Sequence, residues 1–370
     1  MKSNPEKEET FVPFHLPFGP QHPASGHFYG SVKVDGEEVV ELEPYPGYLH
    51  RGLEKLMEYR THIQNSVLVD RICVLEPFSN EMGYVNVVEK IAGIEAPERA
   101  QSIRTIMAEL GRILSHITWI AIVSLALGLD SGARIALGDR EGILRLNEVA
   151  TGGRIYPCYF IPGGVRRDLP EGFEEKTLEE LDYLKSQLNL YDSLIFRNET
   201  FVTRMSGVGI FNAKEAIALG ATGPNLRGCG VESDVRKDEP YAAYPRVNFR
   251  VMTMKEGDAY SRVLCRRGEI AESISILRQL LQDTPKGKFR IKMTTRTPKG
   301  NGYFCCEAAR GELCLYMVSD GTNKPYRVKV RGPSFSHTLS EFPYLARGAQ
   351  IADIPAVYWS LDPCPADMDR

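Results

Sequence analysis

The 370-residue sequence predicts an α+β fold that is mainly helical, a central bundle of long helices with small β-sheet subdomains near both termini. Three observations predict it. Alternating residues flank Asp35-Gly36 near the start, apolar positions recur three and four apart through the middle, and short alternating runs return after Pro285-Lys-Gly287. With 43% hydrophobic residues the chain can bury a large core. The expected division is 1–50, an amino-terminal tail and β-sheet segment; 51–287, the helical bundle core; and 288–370, a carboxyl-terminal β-rich segment with a chemistry-bearing tail.

In chain order, residues 1–10 are charged and expected to fray. Residues 28–34 and 38–42, joined by Asp35-Gly36, read as a β-hairpin. From Arg51 onward Leu53, Leu56, Met57 and Ile63 fall at helical spacing, and Pro97-Glu98-Arg99 opens a long, largely buried helix to about residue 127. Helices near 139–151, 174–198 and 258–284 complete the bundle. Strands follow at 289–294, 302–308, 313–318 and 326–330, with Arg310-Gly311-Glu312 as the tightest connection. A short helix at 334–342 and a strand at 356–360 then lead to Cys364.

Composition excludes several classes. A net charge of −3 offers no footprint for nucleic acid. The eight cysteines lack a framework spacing, so structural disulfides are not expected, and the polar start is not that of a signal peptide. The most apolar run, 117–129, contains Thr118 and Ser124 and falls short of the roughly 20 residues that cross a bilayer, so no transmembrane segment is expected. Gly152-Gly153 and Gly163-Gly164 form no nucleotide-binding motif.

Two fragments carry the chemistry, Arg71-Ile-Cys-Val-Leu-Glu76 and Asp362-Pro-Cys-Pro-Ala-Asp-Met-Asp-Arg370. They read as halves of one four-thiolate metal site in which Glu76 and Asp367 stand where the second cysteines belong. Thiolates are soft ligands and carboxylates hard ones, so the exchange changes which metal could bind.

Together, several stretches resemble the large subunit of nickel-iron hydrogenases and its descendant, the quinone-site subunit of respiratory complex I. They are Gly19-Pro-Gln-His-Pro23, Gly47-Tyr-Leu-His-Arg-Gly-Leu-Glu-Lys55, Asp70-Arg-Ile-Cys73, Asn80-Glu81, Glu98-Arg-Ala100, Phe160-Ile-Pro-Gly-Gly-Val-Arg-Arg-Asp168, Thr222-Gly-Pro-Asn-Leu-Arg-Gly228, Val328-Lys-Val-Arg-Gly-Pro-Ser-Phe335 and the tail from Asp362. The resemblance implies a catalytic large subunit set against a small iron-sulfur subunit that carries the proximal cluster, within a complex that has further iron-sulfur and membrane-arm subunits. It implies [4Fe-4S] clusters in those partners and no cofactor or metal bound by this chain. The location implied is the cytoplasmic face of the cell membrane, as a peripheral subunit.

Departures from the pattern select the branch. Cys73-x-x-Glu76 and Cys364-x-x-Asp367 lack two of the four hydrogenase thiolates. The complex I quinone ligands align with Gly26, one residue before His27, and with Val74, which cannot donate a hydrogen bond. The branch that keeps one cysteine of each pair is the membrane-bound sulfane sulfur reductase of archaea, which implies polysulfide reduction with electrons from ferredoxin, coupled to ion translocation. Cys73 and Cys364 are then the catalytic dithiol, Arg71 lowers a thiol pKa, and Glu76 and Asp367 relay protons. His22, His27, His50 and Glu54 are expected to line the substrate cavity.

Plainer readings stand beside these. The cysteines could be ordinary core residues, Glu76 and Asp367 could pair with Arg71 and Arg370, and the four together could hold zinc or iron. His22 and His27 fit a surface loop, and Glu54 fits a helix cap. His116 reads as a packing histidine on one helix face with Glu109 and Arg112. Arg166-Arg167-Asp168, Arg227 and Arg236-Lys237 fit either a subunit contact or solvated charge. Alternative functions are a quinone- or phenazine-reducing subunit, or a non-catalytic relay between an iron-sulfur subunit and an ion-pumping arm.

Overall fold

The computed structural model describes residues 14–20 and 26–370, so the expected fraying of 1–10 and the placement of His22 lie outside the described residues. Strands β1 (Phe14–Phe18), β2 (Tyr29–Asp35) and β3 (Glu38–Tyr45) form an antiparallel sheet in that order. The hairpin at Asp35-Gly36 is as predicted; β1 is additional. Phe18 and Phe28 pack on Phe342 and Tyr358, with the Phe28 and Tyr358 rings stacked at 5.5 Å, which fastens this sheet to the last helices of the chain.

The helical part runs α1 (Leu53–Tyr59), α2 (His62–Val69), α3 (Pro77–Ala92), α4 (Glu98–Ala126) and α5 (Asp130–Thr151). The short strands β4 (Phe160–Ile161) and β5 (Gly164–Val165) come next, followed by α6 (Phe173–Tyr191), α7 (Glu199–Met205), α8 (Ala213–Ala218), α9 (Gly223–Arg227), α10 (Val235–Asp238) and α11 (Ala259–Gln282). Helix α4 is the axis, packed by α3, α5, α11 and α14 (Ile354–Leu361). Among the described residues it alone is long and apolar enough to cross a membrane, yet it is buried along nearly its whole length and carries buried Arg104, Glu109 and Arg112. Apolar surface on every side of a helix suits the centre of a large core as well as a bilayer.

Many of the charges inside this core are paired. Glu269 accepts from His116 at 3.0 Å and from Arg227 at 2.6 Å, and Arg236 joins Glu109 at 3.1 Å and Asp234 at 2.6 Å. His116 is therefore a packing histidine in an ion network. Arg227 and Arg236 are buried, which corrects the solvated reading.

The second three-stranded sheet orders β6 (Lys299–Ala308), β7 (Gly311–Asp320) and β8 (Pro325–Arg331) antiparallel, with α3 packed on it. Cys305 and Cys314 face each other across β6 and β7 and are disulfide-bonded, which corrects the expectation of none. Their spacing signals nothing until the hairpin register brings them opposite. Residues 289–294 form no strand; one bridge, Arg290 to Gly164, is made there. The chain ends through α12 (Ser334–Ser336), a π-turn (His337–Glu341), α13 (Phe342–Ala346), α14 and α15 (Pro365–Asp369). The expected strand at 356–360 lies within α14. Pro355 sits in its first turn, and because almost every side chain there is buried, periodicity could not separate strand from helix.

Candidate active site at a buried dithiol

Cys73 occupies the turn between α2 and α3, and Cys364 the turn between α14 and α15. Both are free and buried, 2% and 7% exposed, and their thiols face each other within hydrogen-bonding reach. Two residues 291 positions apart thus form one site, as the paired fragments imply. The two approaches are tied together by Arg51, which donates to the carbonyls of Arg71, Ile72 (3.4 Å) and Ala366 (2.7 Å).

A buried guanidinium completes the site. Arg310 stands at the turn between β6 and β7, and its Nη1 lies 3.4 Å from Cys73 Sγ and 3.3 Å from Glu76 Oε1. Asp362 fixes its plane, the carboxylate accepting from Nη2 and the carbonyl from Nε, both at 2.9 Å. This two-point grip sets direction as well as charge. The turn is pinned by a close approach of backbones: a Cβ on Gly311 (φ +138°) would meet Thr222 Oγ1 at 2.5 Å, and one on Gly223 would meet Gly311 Cα at 2.4 Å. Only glycines allow that contact and the positive φ it requires.

Electrostatics separate the two thiols. Cys364 is drawn below the usual cysteine value because Cys73 donates its S–H to it, helped by Arg310 and the backbone N–H of Asp367. Cys73 is pushed well above it, first by that same hydrogen bond and then by burial. Cys364 is thus the more acidic of the two thiols and Cys73 the less acidic. Burial raises Glu76 to about 7 against the pull of Arg310, and its Oε1 also accepts the Arg310 backbone N–H at 2.9 Å. Burial likewise raises Asp367, whose Oδ2 accepts from the Ser334 N–H at 3.0 Å.

Other expected residues are placed differently. Arg71 donates to the Val67 carbonyl at 2.6 Å and lies 4.6 Å over the Tyr156 ring, so the cation at Cys73 is Arg310. The expected partners of the acids change too: Glu76 pairs with Arg310, while Arg370 reaches Glu54 at 3.9 Å. His50 Nδ1 contacts the Asp369 carbonyl at 2.8 Å, and Glu54 accepts the Val330 N–H at 2.8 Å. His50 thus latches the tail that carries Cys364, while Glu54 ties α1 to the strand Pro325–Arg331 and lies 3.9 Å from Arg370 of that tail. His27 is exposed. A cavity of about 540 Å³ lies beside His62 and residues 290–295, and none of His27, His50, Glu54 or the two thiols lines it.

The ligand atoms of Cys73, Glu76, Cys364 and Asp367 do not gather, even three at a time, within 4.8 Å of one another, so the zinc or iron reading finds no preformed site. Among the described residues the one set of three candidate ligands within 4.8 Å is Cys305, Glu312 and Cys314, two of which form the disulfide. Arg310, Asp362 and Arg51 were not singled out from the sequence. A charged residue in a two-residue hairpin turn, where glycine or asparagine is the usual choice, was the signal available for Arg310.

The scaffold around the pair uses the remaining motifs. Asp70 accepts the Cys158 N–H, and Glu81 accepts those of Tyr159 and Phe160, each at 2.7 to 2.8 Å. Asn225 donates to Glu341 at 2.9 Å beneath the tail.

Known proteins share this architecture. The sequence model of the family described as respiratory-chain NADH dehydrogenase, 49 Kd subunit, matches residues 126–296 and 288–370. The chain is 43% identical to the D subunit of the NADH-quinone oxidoreductase of Thermosipho melanesiensis over 95% of its own length and 98% of the relative's. It is 42% identical to the D subunit of the F(420)H(2) dehydrogenase of Methanosarcina mazei over 99% of each. A solved structure of the membrane-bound sulfane sulfur reductase, an archaeal respiratory membrane complex, superposes with a TM-score of 0.94 at 42% identity, covering 97% of this chain and 98% of the other.

Proposed function

We propose that this chain, which belongs to the family of 49 kDa subunits of respiratory-chain NADH dehydrogenases, reduces sulfane sulfur at the Cys73 and Cys364 dithiol. It is an oxidoreductase subunit of a complex I-like membrane respiratory complex. The observation that carries the finer reading is the pair of buried thiols with opposed acidities beside Arg310.

The steps balance. The Cys364 thiolate attacks the terminal sulfur of a polysulfide, leaving a Cys364 persulfide and a polysulfide one sulfur shorter. Cys73 then attacks the Cys364 sulfur; the outer sulfur departs with the Cys73 proton as hydrosulfide, and a Cys73–Cys364 disulfide forms. Two electrons and one proton restore the thiolate and thiol. The electrons come from the [4Fe-4S] cluster of a small iron-sulfur subunit, supplied by ferredoxin through further clusters, and the reaction drives ion translocation in the membrane arm. Glu76, half protonated near pH 7, supplies the proton, and Arg310 holds the negative charge as it moves between sulfurs. The chain sits on the cytoplasmic face of the membrane, as a peripheral subunit of this complex.

The test is polysulfide-dependent oxidation of reduced ferredoxin by the purified complex, native against Cys364→Ser. The expected result is loss of the native rate in the variant. Equal rates, or no polysulfide activity in either, overturn the reading. A second reading is quinone or phenazine reduction, of which the quinone form is favoured by the name of the Thermosipho melanesiensis relative; it requires that serine at either cysteine be tolerated.

A further inference from the structure

The extended segment after α11 takes no part in the dithiol chemistry. Residues 284–306 contain six cations, Lys286, Lys288, Arg290, Lys292, Arg296 and Lys299, and no carboxylate, in a chain of net charge −3. The first four alternate along the segment and are exposed. Among the described residues none of these four has a carboxylate at ion-pair distance. Alternate positions on an extended chain stand about 7 Å apart, inside one Debye length at physiological salt, so four unpaired cations repel one another.

The backbone there is half-paired. Phe289 O accepts from Val165 N at 3.0 Å and Ile291 N donates to Gly163 O at 2.8 Å. In this antiparallel bridge the N–H and C=O of Arg290 point the opposite way, and the pleat carries those of Lys292 to the same side. Among the described residues that outer edge has no backbone partner. Residues 290–295 of the same segment line the cavity of about 540 Å³, whose apolar wall is Ile63, Ile161, Pro162, Ile291 and Met293. Ile63 is 65% exposed, although it lies in the first turn of a helix whose other face is buried.

We infer that this edge docks an acidic, extended segment of a neighbouring subunit, which adds as a strand along residues 290–292, sets carboxylates against the lysines and places an apolar side chain in the cavity. One occupant meets all three features. An anionic lipid would neutralise the cations and fill the cavity but leave the open N–H and C=O groups unpaired, whereas strand addition pairs them. The inference needs only that the chain works inside a multisubunit complex, and it is independent of the sulfur chemistry.

The experiment uses the intact complex. Zero-length carbodiimide cross-linking is expected to join Lys286, Lys288 or Lys292 to carboxylates of one contiguous segment in another subunit, and the amides of Arg290 and Lys292 should exchange slowly with deuterium. In a complex carrying Lys288→Glu and Lys292→Glu together, those two amides should exchange at least about fivefold faster, the effect of roughly 1 kcal/mol of lost ion pairing. Cross-links confined to this chain overturn the inference, as do rapidly exchanging Arg290 and Lys292 amides in the native complex. It also fails if added phosphatidylglycerol vesicles, and no subunit, slow the exchange.

Discussion

Replacing Glu76 by glutamine tests the proposed proton donor with little change of shape. The amide oxygen can still accept the Arg310 backbone N–H that now lies 2.9 Å from Oε1, while the titrating proton is gone. In the native chain burial lifts the Glu76 carboxyl from 4.5 to about 7. The protonated fraction therefore falls about tenfold between pH 6 and pH 8, and the polysulfide-dependent rate should show a limb in that range. Glu76→Gln should remove that limb and lower the rate at pH 6.5 by about 100-fold, the lower end of general-acid contributions. Stability follows by linkage. The folded state binds the Glu76 proton more tightly than the unfolded one, so its contribution is full below pH 4.5 and is lost as pH rises through about 7. A shift of this size corresponds to about 3 kcal/mol. The variant's thermal midpoint should accordingly fall less than the native one between pH 5 and pH 8. A variant that keeps the native pH profile for both rate and midpoint refutes the assignment of the proton to Glu76.

Cys73→Ser should stop turnover after the first attack, leaving a persulfide on Cys364 that intact-protein mass spectrometry reads as one added sulfur atom; an unmodified protein counts against Cys364 as the nucleophile. Arg310→Gln leaves the buried Asp362 carboxylate with only Arg266, at 3.9 Å, as a cation and should destabilise the chain by about 3 kcal/mol, measured by denaturant titration. The same variant should move the alkylation of Cys364 by iodoacetamide to higher pH, and an unchanged profile would mean that Arg310 does not set thiol acidity. Gly311→Ala places a methyl 2.5 Å from Thr222 Oγ1 at a φ of +138° and should cost about 1–3 kcal/mol, read as a lower unfolding midpoint.

Much of this protein was legible along the chain. The stretches that became α6 and α11, and the Asp35-Gly36 hairpin, follow from local periodicity and turn chemistry, which short-range sterics and burial enforce, and α4 was marked by its Pro97-Glu98-Arg99 start and its long apolar run. The pairing of Cys73 with Cys364 was legible as well, because two fragments with the same cysteine-to-carboxylate change point to one site. Local pattern failed where burial surrounds an element. Residues 356–360 are buried on all sides, and a fully buried segment has no face to reveal its period. The tertiary structure alone decided which cation meets the thiols. Arg71 is two residues from Cys73 in sequence but turns toward Val67 and Tyr156, while Arg310 arrives from a hairpin held by the Gly223 and Gly311 backbones. It also decided that Cys305 and Cys314 are bonded and that Arg227 and Arg236 are buried. Sequence spacing governs contacts within a helix or hairpin, whereas the electrostatics of a buried site depend on distances of about 3 to 4 Å between segments that only the packed fold brings together.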